Sequence, residues 1–397
     1  MTTIQAAFLK DRSYVSVAFT HFCVDVLNSS RNLLMALLAI NLGLTNAQLG
    51  INLLIYNVGS SLSQPLFGWL ADRIGARLLV IGGMGWMIVF FGLAATLADW
   101  PALIAVTIAG IGSGAFHPTG TMVASQSSKE FTGRATAVFF MSGQLGLFVG
   151  PVLAGFLLEG YGRPGYLVLP VLALTAFIGG WQWLTHQQTP AALAPPRSSP
   201  LPVHTGTARP SLVPSVPLRA ATLLFLIILS YSSVGIAAMT FAPKLFTELG
   251  FEPGYVGWLG GLFMLGSAIG GVVGGALADR YSGRWVIFCG LMAAILPIYF
   301  YIPVEGIGRF VLLFLAGFFS GMPHSILILR VQSLLPDRKA LASGLALGTM
   351  FFSGSVGSYV MGLIADNVGL AVTLQGTAVL PLVAGLLALL LPRREQS

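Results

Sequence analysis

Charge is what this sequence most conspicuously lacks: only 8% of its 397 residues are Asp, Glu, Lys or Arg, about a third of what a water-solvated surface carries. Cysteine is nearly absent. Cys23 and Cys289 both lie in apolar runs, where a thiol acts as a small apolar group, so neither a disulfide framework nor a redox pair is expected. There is no Gly-rich phosphate loop ending in Lys-Ser or Lys-Thr and no long polar segment to form a nucleotide-binding domain, which argues against an ATP-driven pump. No Cys/His cluster has metal-ligand spacing, and no His-rich box or carboxylate pair faces one membrane surface, as an integral-membrane enzyme would need. No cofactor and no metal are expected.

What is present is apolar. Hydrophobic residues make up 55% of the chain and the mean hydropathy is +0.85, so the solvent is lipid. A span takes roughly 20 apolar residues, and about twelve such stretches follow one another between the charged positions. The expected fold is therefore an all-α integral membrane protein of twelve transmembrane helices. A formal charge of +7 would suit a nucleic-acid binder if the basic residues formed a patch, but they stand in ones and twos at span ends, so nucleic acid is not an expected partner.

Those basic residues report topology. Sorted by alternate connections, fifteen of the Lys and Arg residues, among them Lys10, Arg12, Arg73, Arg77, Arg280, Arg284 and Arg393, fall on one side, and only Arg163, Lys244 and Arg309 on the other. This predicts an even number of crossings with both termini cytoplasmic and the first span retained. The opposite side collects Asp99, Glu159, Glu248, Glu252, Glu305 and Asp366. Residues 186–217 are rich in Pro, Ser and Ala and read as a cytoplasmic linker between an N-terminal six-helix bundle, 1–185, and a C-terminal one, 218–397.

The two halves repeat at an offset of 207 residues without a gap. Asp72, Arg73 and Arg77 map onto Asp279, Arg280 and Arg284; Gly50 onto Gly257, His117 onto His324, Gly155 onto Gly362, Glu159 onto Asp366 and Gly162 onto Gly369. Duplicated bundles are what alternating access requires, with a site near the midplane between them.

After the second span the chain reads Gly68-Trp69-Leu70-Ala71-Asp72-Arg73-Ile74-Gly75-Ala76-Arg77, and after the eighth Gly275-Ala276-Leu277-Ala278-Asp279-Arg280-Tyr281-Ser282-Gly283-Arg284. This resembles the signature loop of the major facilitator superfamily, present in both halves, and the resemblance covers nearly the whole chain. It implies the major facilitator fold of two pseudo-symmetric six-helix bundles, a monomer, and a gating role for Asp72, Arg73, Arg77, Asp279, Arg280 and Arg284 at helix ends. Gly146, Gly150, Pro151 and Gly155 resemble the antiporter motif of the fifth helix, with Ala137 and Ala154 standing where that pattern has glycine. Within the superfamily, Gly110-Ile111-Gly112-Ser113-Gly114-Ala115-Phe116-His117-Pro118 and the first-span pair His21 and Asp25 resemble the fosmidomycin resistance family of bacterial drug exporters. Thr119 departs from it, occupying a position where that family has an acidic residue. The family implies drug:proton antiport in a bacterial inner membrane.

Ionisable groups at membrane depth cost about 2.5–3.5 kcal/mol each and mark function. In the first span His21, Asp25, Asn28 and Asn32 are spaced four, three and four apart, hence on one helical face. Asp25 lies about 18 Å from the cytoplasmic end of its span, at 1.5 Å per residue. His117 lies at a similar depth in the fourth span, and His324 corresponds to it in the tenth. In the superfamily these helices line the cavity, so the resemblance brings Asp25, His21, His117 and His324 together as a proton-coupling set. Asp25 also reads as a structural aspartate paired with His21 or Arg31, and each histidine as the partner of a carbonyl freed by Pro118 or Pro323. Arg31 reads either as an anion-binding arginine or as one that snorkels or neutralises Asp25. Asn28, Arg31, Asn32, Tyr56, Asn57 and Gln144 are the candidate substrate contacts.

The function expected is secondary active export of a small organic compound in exchange for protons, with uptake or exchange of an organic anion through Arg31 and the histidines as the alternative. A sensor that kept the fold without turnover would show a long tail or a lost gate motif, and neither is seen.

Overall fold

A computed structural model describes residues 9–126, 132–186, 218–334 and 339–391. All its regular elements are helical, as lipid demands of a backbone that has no water to bond. The first half comprises α1 (Arg12–Asn41), α2 (Asn46–Asn57), a π-helical turn (Val58–Leu62), α3 (Gln64–Ile74), α4 (Ala76–Thr96), α5 (Asp99–Ile108), α6 (Gly110–Gln126), α7 (Thr132–Gly165) and α8 (Val168–His186). The second comprises α9 (Leu218–Glu248), α10 (Pro253–Arg280), α11 (Gly283–Phe300), α12 (Ile307–Gly321), α13 (Pro323–Leu334), α14 (Lys339–Val368), α15 (Leu370–Gly376) and α16 (Val379–Leu389).

These make twelve spans, because α2 with α3, α5 with α6, α12 with α13, and α15 with α16 are single crossings broken near their middles. Among the described residues ten spans are long and apolar enough to cross a bilayer by composition alone. The other two are residues 46–74, interrupted by the π-turn, and the shorter α8. Apolar side chains such as Val272, Leu296 and Ile307 are exposed on the outside, where lipid would cover them.

The repeat read from the sequence governs the backbone too. Seven described residues have positive φ, and six of them are mates at the 207-residue offset: Gly43 with Gly250, Asp99 with Gly306, and Gly162 with Gly369. Each pair turns the chain at the same end of the molecule, the end that carries Glu159, Glu248 and Asp366. We call it the acidic end, and the opposite end, with Arg73, Arg77, Arg280 and Arg284, the basic end.

The halves meet at the acidic end, and among the described residues no helix pair packs across the basic one. Crossing contacts are made by α7 on α10, α14 on α2 and α1 on α9, whereas α3 packs on α4 and α6 of its own half and α13 on α10 and α14 of its own. The apolar core shows the same division. One continuous core runs from Tyr14, Met84 and Phe139 of the first half to Phe246, Tyr301 and Leu313 at the acidic end of the second. At the basic end the second half has a separate core around Ile227, Met322 and Leu327. Of the expected linker, residues 187–217 lie outside the described residues.

Candidate functional site

In the polar stripe of α1, His21 and Asp25 are buried against α6 and α7, and Asn28 and Asn32 are half-buried. The close approach depends on Gly143 and Gly146 of α7: a Cβ on Gly143 would lie 2.5 Å from the His21 ring and 2.6 Å from the Asp25 carboxylate, and one on Gly146 would strike the Phe22 carbonyl. Two glycines of the motif expected in the fifth span, Gly146 and Gly150, thus serve to seat α1.

At the centre, Asp25 is held between two imidazoles. His21 Nε2 lies 3.2 Å from Asp25 Oδ2, and His117 Nε2, arriving from α6, lies 3.4 Å from Oδ1. The Asn28 amide donates to the same Oδ1 at 2.9 Å and to Ser113 Oγ at 3.0 Å. His21 is buried and stacked on Phe139 at 4.1 Å, while the His117 side chain is 27% exposed and so is the member open to solvent.

The tautomers follow from the second ring nitrogens. His21 Nδ1 bonds the Phe139 carbonyl at 2.7 Å and His117 Nδ1 the Ser113 carbonyl at 2.8 Å. A carbonyl only accepts, so both Nδ1 atoms carry hydrogen. Each Nε2 that faces the carboxylate therefore presents a lone pair when the ring is neutral and a proton when it is charged, and only the charged form makes the contact attractive. One ligand atom from each of His21, Asp25 and His117 lies within 4.8 Å of the others, the one such group among the described residues. No spacing in the sequence discloses it, because His117 comes from a different helix.

The cluster continues outward. Tyr56 donates to Asn28 Oδ1 at 2.5 Å; the Arg31 guanidinium lies 3.6 Å from the centre of the Tyr56 ring and donates to Asn32 Oδ1 at 3.3 Å and Asn57 Oδ1 at 3.4 Å. Asn57 donates across to Ser355 of α14 at 2.5 Å. A chain of contacts thus joins Asp25 through Asn28, Tyr56, Arg31 and Asn57 to the other half. Tyr56 and Asn57 sit where α2 gives way to the π-turn, a distortion common at functional positions. Among the described residues no carboxylate pairs with Arg31, whose contacts are Asn32, Asn57 and the Tyr56 ring.

Two candidates stand elsewhere. His324 faces Tyr231 of α9, 3.3 Å from its hydroxyl, and stands outside the group of His21, Asp25 and His117. Gln144 is exposed on α7. In the motif loops Arg73 lies over Trp69 at 3.8 Å, Arg77 is half-buried, Asp279 and Arg280 are exposed and Arg284 is half-buried; the Asp72 side chain lies outside what is described. Asp279 makes no ion pair among the described residues, in keeping with halves that are apart at this end. Ser113 was not singled out from the sequence, although it lies four residues before His117 and so on its face. Ser355 carries no signal at all.

Two six-helix bundles, closed on each other at one end and enclosing a buried polar cluster at mid-depth, define a membrane carrier. The chain belongs to the Major Facilitator Superfamily, whose family model matches residues 17–222 and 223–397; with that family it is a multi-pass membrane transporter of small molecules and not an enzyme. It is 27% identical over 384 residues to the fosmidomycin resistance protein of Escherichia coli (strain K12), covering 95% of this chain and 92% of that one. A shorter match, 27% over 135 residues, joins 33% of this chain to 32% of the multidrug resistance protein MdtG of Yersinia enterocolitica. In fold it is similar to a bacterial homologue of the human lysosomal transporter Spinster in an inward-facing, occupied conformation, with a TM-score of 0.77 at 14% identity over 98% of this chain and 99% of that one. It is also similar to the nucleoside transporter NupG, with a TM-score of 0.72 at 13% identity over 96% and 99%.

Proposed function

We propose that this transporter exports a small organic compound or drug in exchange for protons, as a monomer working by alternating access in a bacterial inner membrane. The basic end faces the cytoplasm with both termini, following the bias of Lys and Arg, and bundles 1–185 and 218–397 rock about the linker 186–217. The observation that carries the reading is Asp25 between the Nε2 atoms of His21 and His117, with Asn28 and Tyr56 leading from it to Arg31. The relatives named for drug resistance favour export.

The cluster supplies a coupling route. Protons entering from the acidic, outer end charge the imidazoles and make them partners of Asp25. With the basic end open, His117, the partly exposed imidazole, is the group through which a proton leaves. When it does, the carboxylate loses a partner and draws more strongly on the Asn28 amide. Asn28 also holds Tyr56, on whose ring Arg31 rests, so proton occupancy is felt at Arg31, Asn32 and Asn57, the substrate contacts. Asp72, Arg73 and Arg77 and their mates Asp279, Arg280 and Arg284 act as the gate when the basic end closes.

A second reading, uptake or exchange of an organic anion, is favoured by one observation: among the described residues Arg31, in the middle of α1, has no carboxylate partner. The two are separated in liposomes containing a pH-sensitive dye. Proton movement that depends on added substrate and is lost in Asp25→Asn supports antiport. Substrate flux with no proton movement, equal in the variant, contradicts it and favours the anion reading.

A further inference from the structure

We propose that Glu159 and Asp366 form a twinned latch that holds the acidic end shut, and that these two carboxylates position the balance between the carrier's two open states. Asp366, at the end of α14, accepts hydrogen bonds from the backbone N–H groups of Asn46 at 2.7 Å and Ala47 at 3.1 Å, the first residues of α2. Glu159 of α7 accepts one from Gly254 at 2.9 Å, at the start of α10. The 207-residue offset converts Glu159 into Asp366, Asn46 into Pro253 and Ala47 into Gly254. One contact has therefore been built twice, in opposite senses: each half lends a carboxylate to a helix start in the other.

A helix start is a fit partner for a carboxylate, since its first N–H groups have no acceptor within the helix and carry the positive end of its dipole. The difference between the two copies also has a cause. Pro253 has no N–H, so Glu159 finds its donor one residue further on, whereas Asn46 and Ala47 both offer one to Asp366.

The backbones beneath each carboxylate are pressed together in the same duplicated way. A Cβ on Gly155 would strike the Pro253 carbonyl, and one on its mate Gly362 would strike the Asn46 carbonyl; Gly257 faces the Pro151 carbonyl as Gly50 faces that of Ser358. Lys244 adds a tie in one copy only, donating to Asn46 Oδ1 at 2.7 Å and the Leu44 carbonyl at 3.2 Å. Both carboxylates are exposed, so their bonds are weak enough to break in each cycle. Opening the acidic end must break all three.

The inference rests on the two-bundle carrier fold and not on proton coupling. It is tested by distance, with neither substrate nor gradient present: spin labels on Trp100→Cys and Ile307→Cys, mates on opposite halves at the acidic end, in a Cys23→Ala, Cys289→Ser background. Glu159→Gln with Asp366→Asn should raise the long-distance population about tenfold, with single variants intermediate and Asp366→Glu restoring the short distance. Should the double variant not fold, Asn46→Pro decides when read against Asn46→Ala: both lose the Oδ1 that Lys244 holds, and only the proline also removes the N–H that Asp366 accepts from, with both carboxylates left in place. A rise in Asn46→Pro beyond that in Asn46→Ala supports the latch. A distance distribution unchanged in the double variant or, where that one cannot be made, the same in Asn46→Pro as in Asn46→Ala, overturns it.

Discussion

Tyr56 donates its hydroxyl hydrogen to the Asn28 side chain across 2.5 Å, and this one bond ties the cluster around Asp25 to the cluster around Arg31. Asn28 has its amide on Asp25 and its carbonyl on Tyr56, so the two sites cannot rearrange independently. Tyr56→Phe removes the tie and keeps the ring beneath Arg31. A hydrogen bond of this kind contributes about 1 kcal/mol, so coupled transport should fall roughly fivefold while uncoupled substrate exchange persists, measured as the ratio of protons to substrate moved.

His21 and His117 should separate structure from function. His21 is buried, stacked on Phe139 and paired, so His21→Ala leaves a buried carboxylate short of a partner and should cost about 3 kcal/mol of stability, read as a lower unfolding temperature in detergent. His117 is partly open, and His117→Gln should fold normally yet lose proton movement.

The pH dependence has a definite sign. The contact of His117 with Asp25 is attractive only while Nε2 carries a proton, so it is present at low pH and lost once the imidazole gives that proton up. The pH profile of exchange should show this step in the unaltered chain and be flat in His117→Gln.

Gly143 should tolerate no side chain. A Cβ there meets His21 and Asp25, and overpacking of this kind costs about 1–3 kcal/mol. Gly143→Ala should impair both stability and transport, whereas Gly160→Ala, with open space around it, should change neither by measurement of yield and flux.

Arg31→Gln should raise the apparent KM for anionic test compounds about tenfold or more, the loss of a charge-assisted bond, and leave neutral ones nearly unchanged. Transport kinetics with a matched anionic and neutral pair checks this.

The spans and the repeat were legible because each rests on a local pattern: apolar length, and residue identity at one offset. The face made by His21, Asp25, Asn28 and Asn32 was legible for the same reason, helical spacing. The carbonyls that fix the tautomers were not, since Phe139 reaches His21 from 118 positions away. Expecting His324 beside Asp25 pushed the repeat too far. At the offset, His21, Asp25, Asn28 and Asn32 become Ile228, Ser232, Gly235 and Met239, so the second half kept the histidine of its tenth span and lost the stripe it would serve. Arg31 becomes Ala238 in the same way, leaving the cluster one-sided. The latch residues were visible only as a repeat pair, because a backbone N–H donor has no signature in side chains.

The most direct measurement of the central claim is accumulation driven by a proton gradient. Vesicles holding the purified protein, with an imposed pH difference and equal substrate on both sides, should build a substrate gradient opposite to the proton flow, and Asp25→Asn should leave substrate level while still catalysing exchange. Accumulation by Asp25→Asn equal to that of the unaltered protein would contradict a coupling site at Asp25.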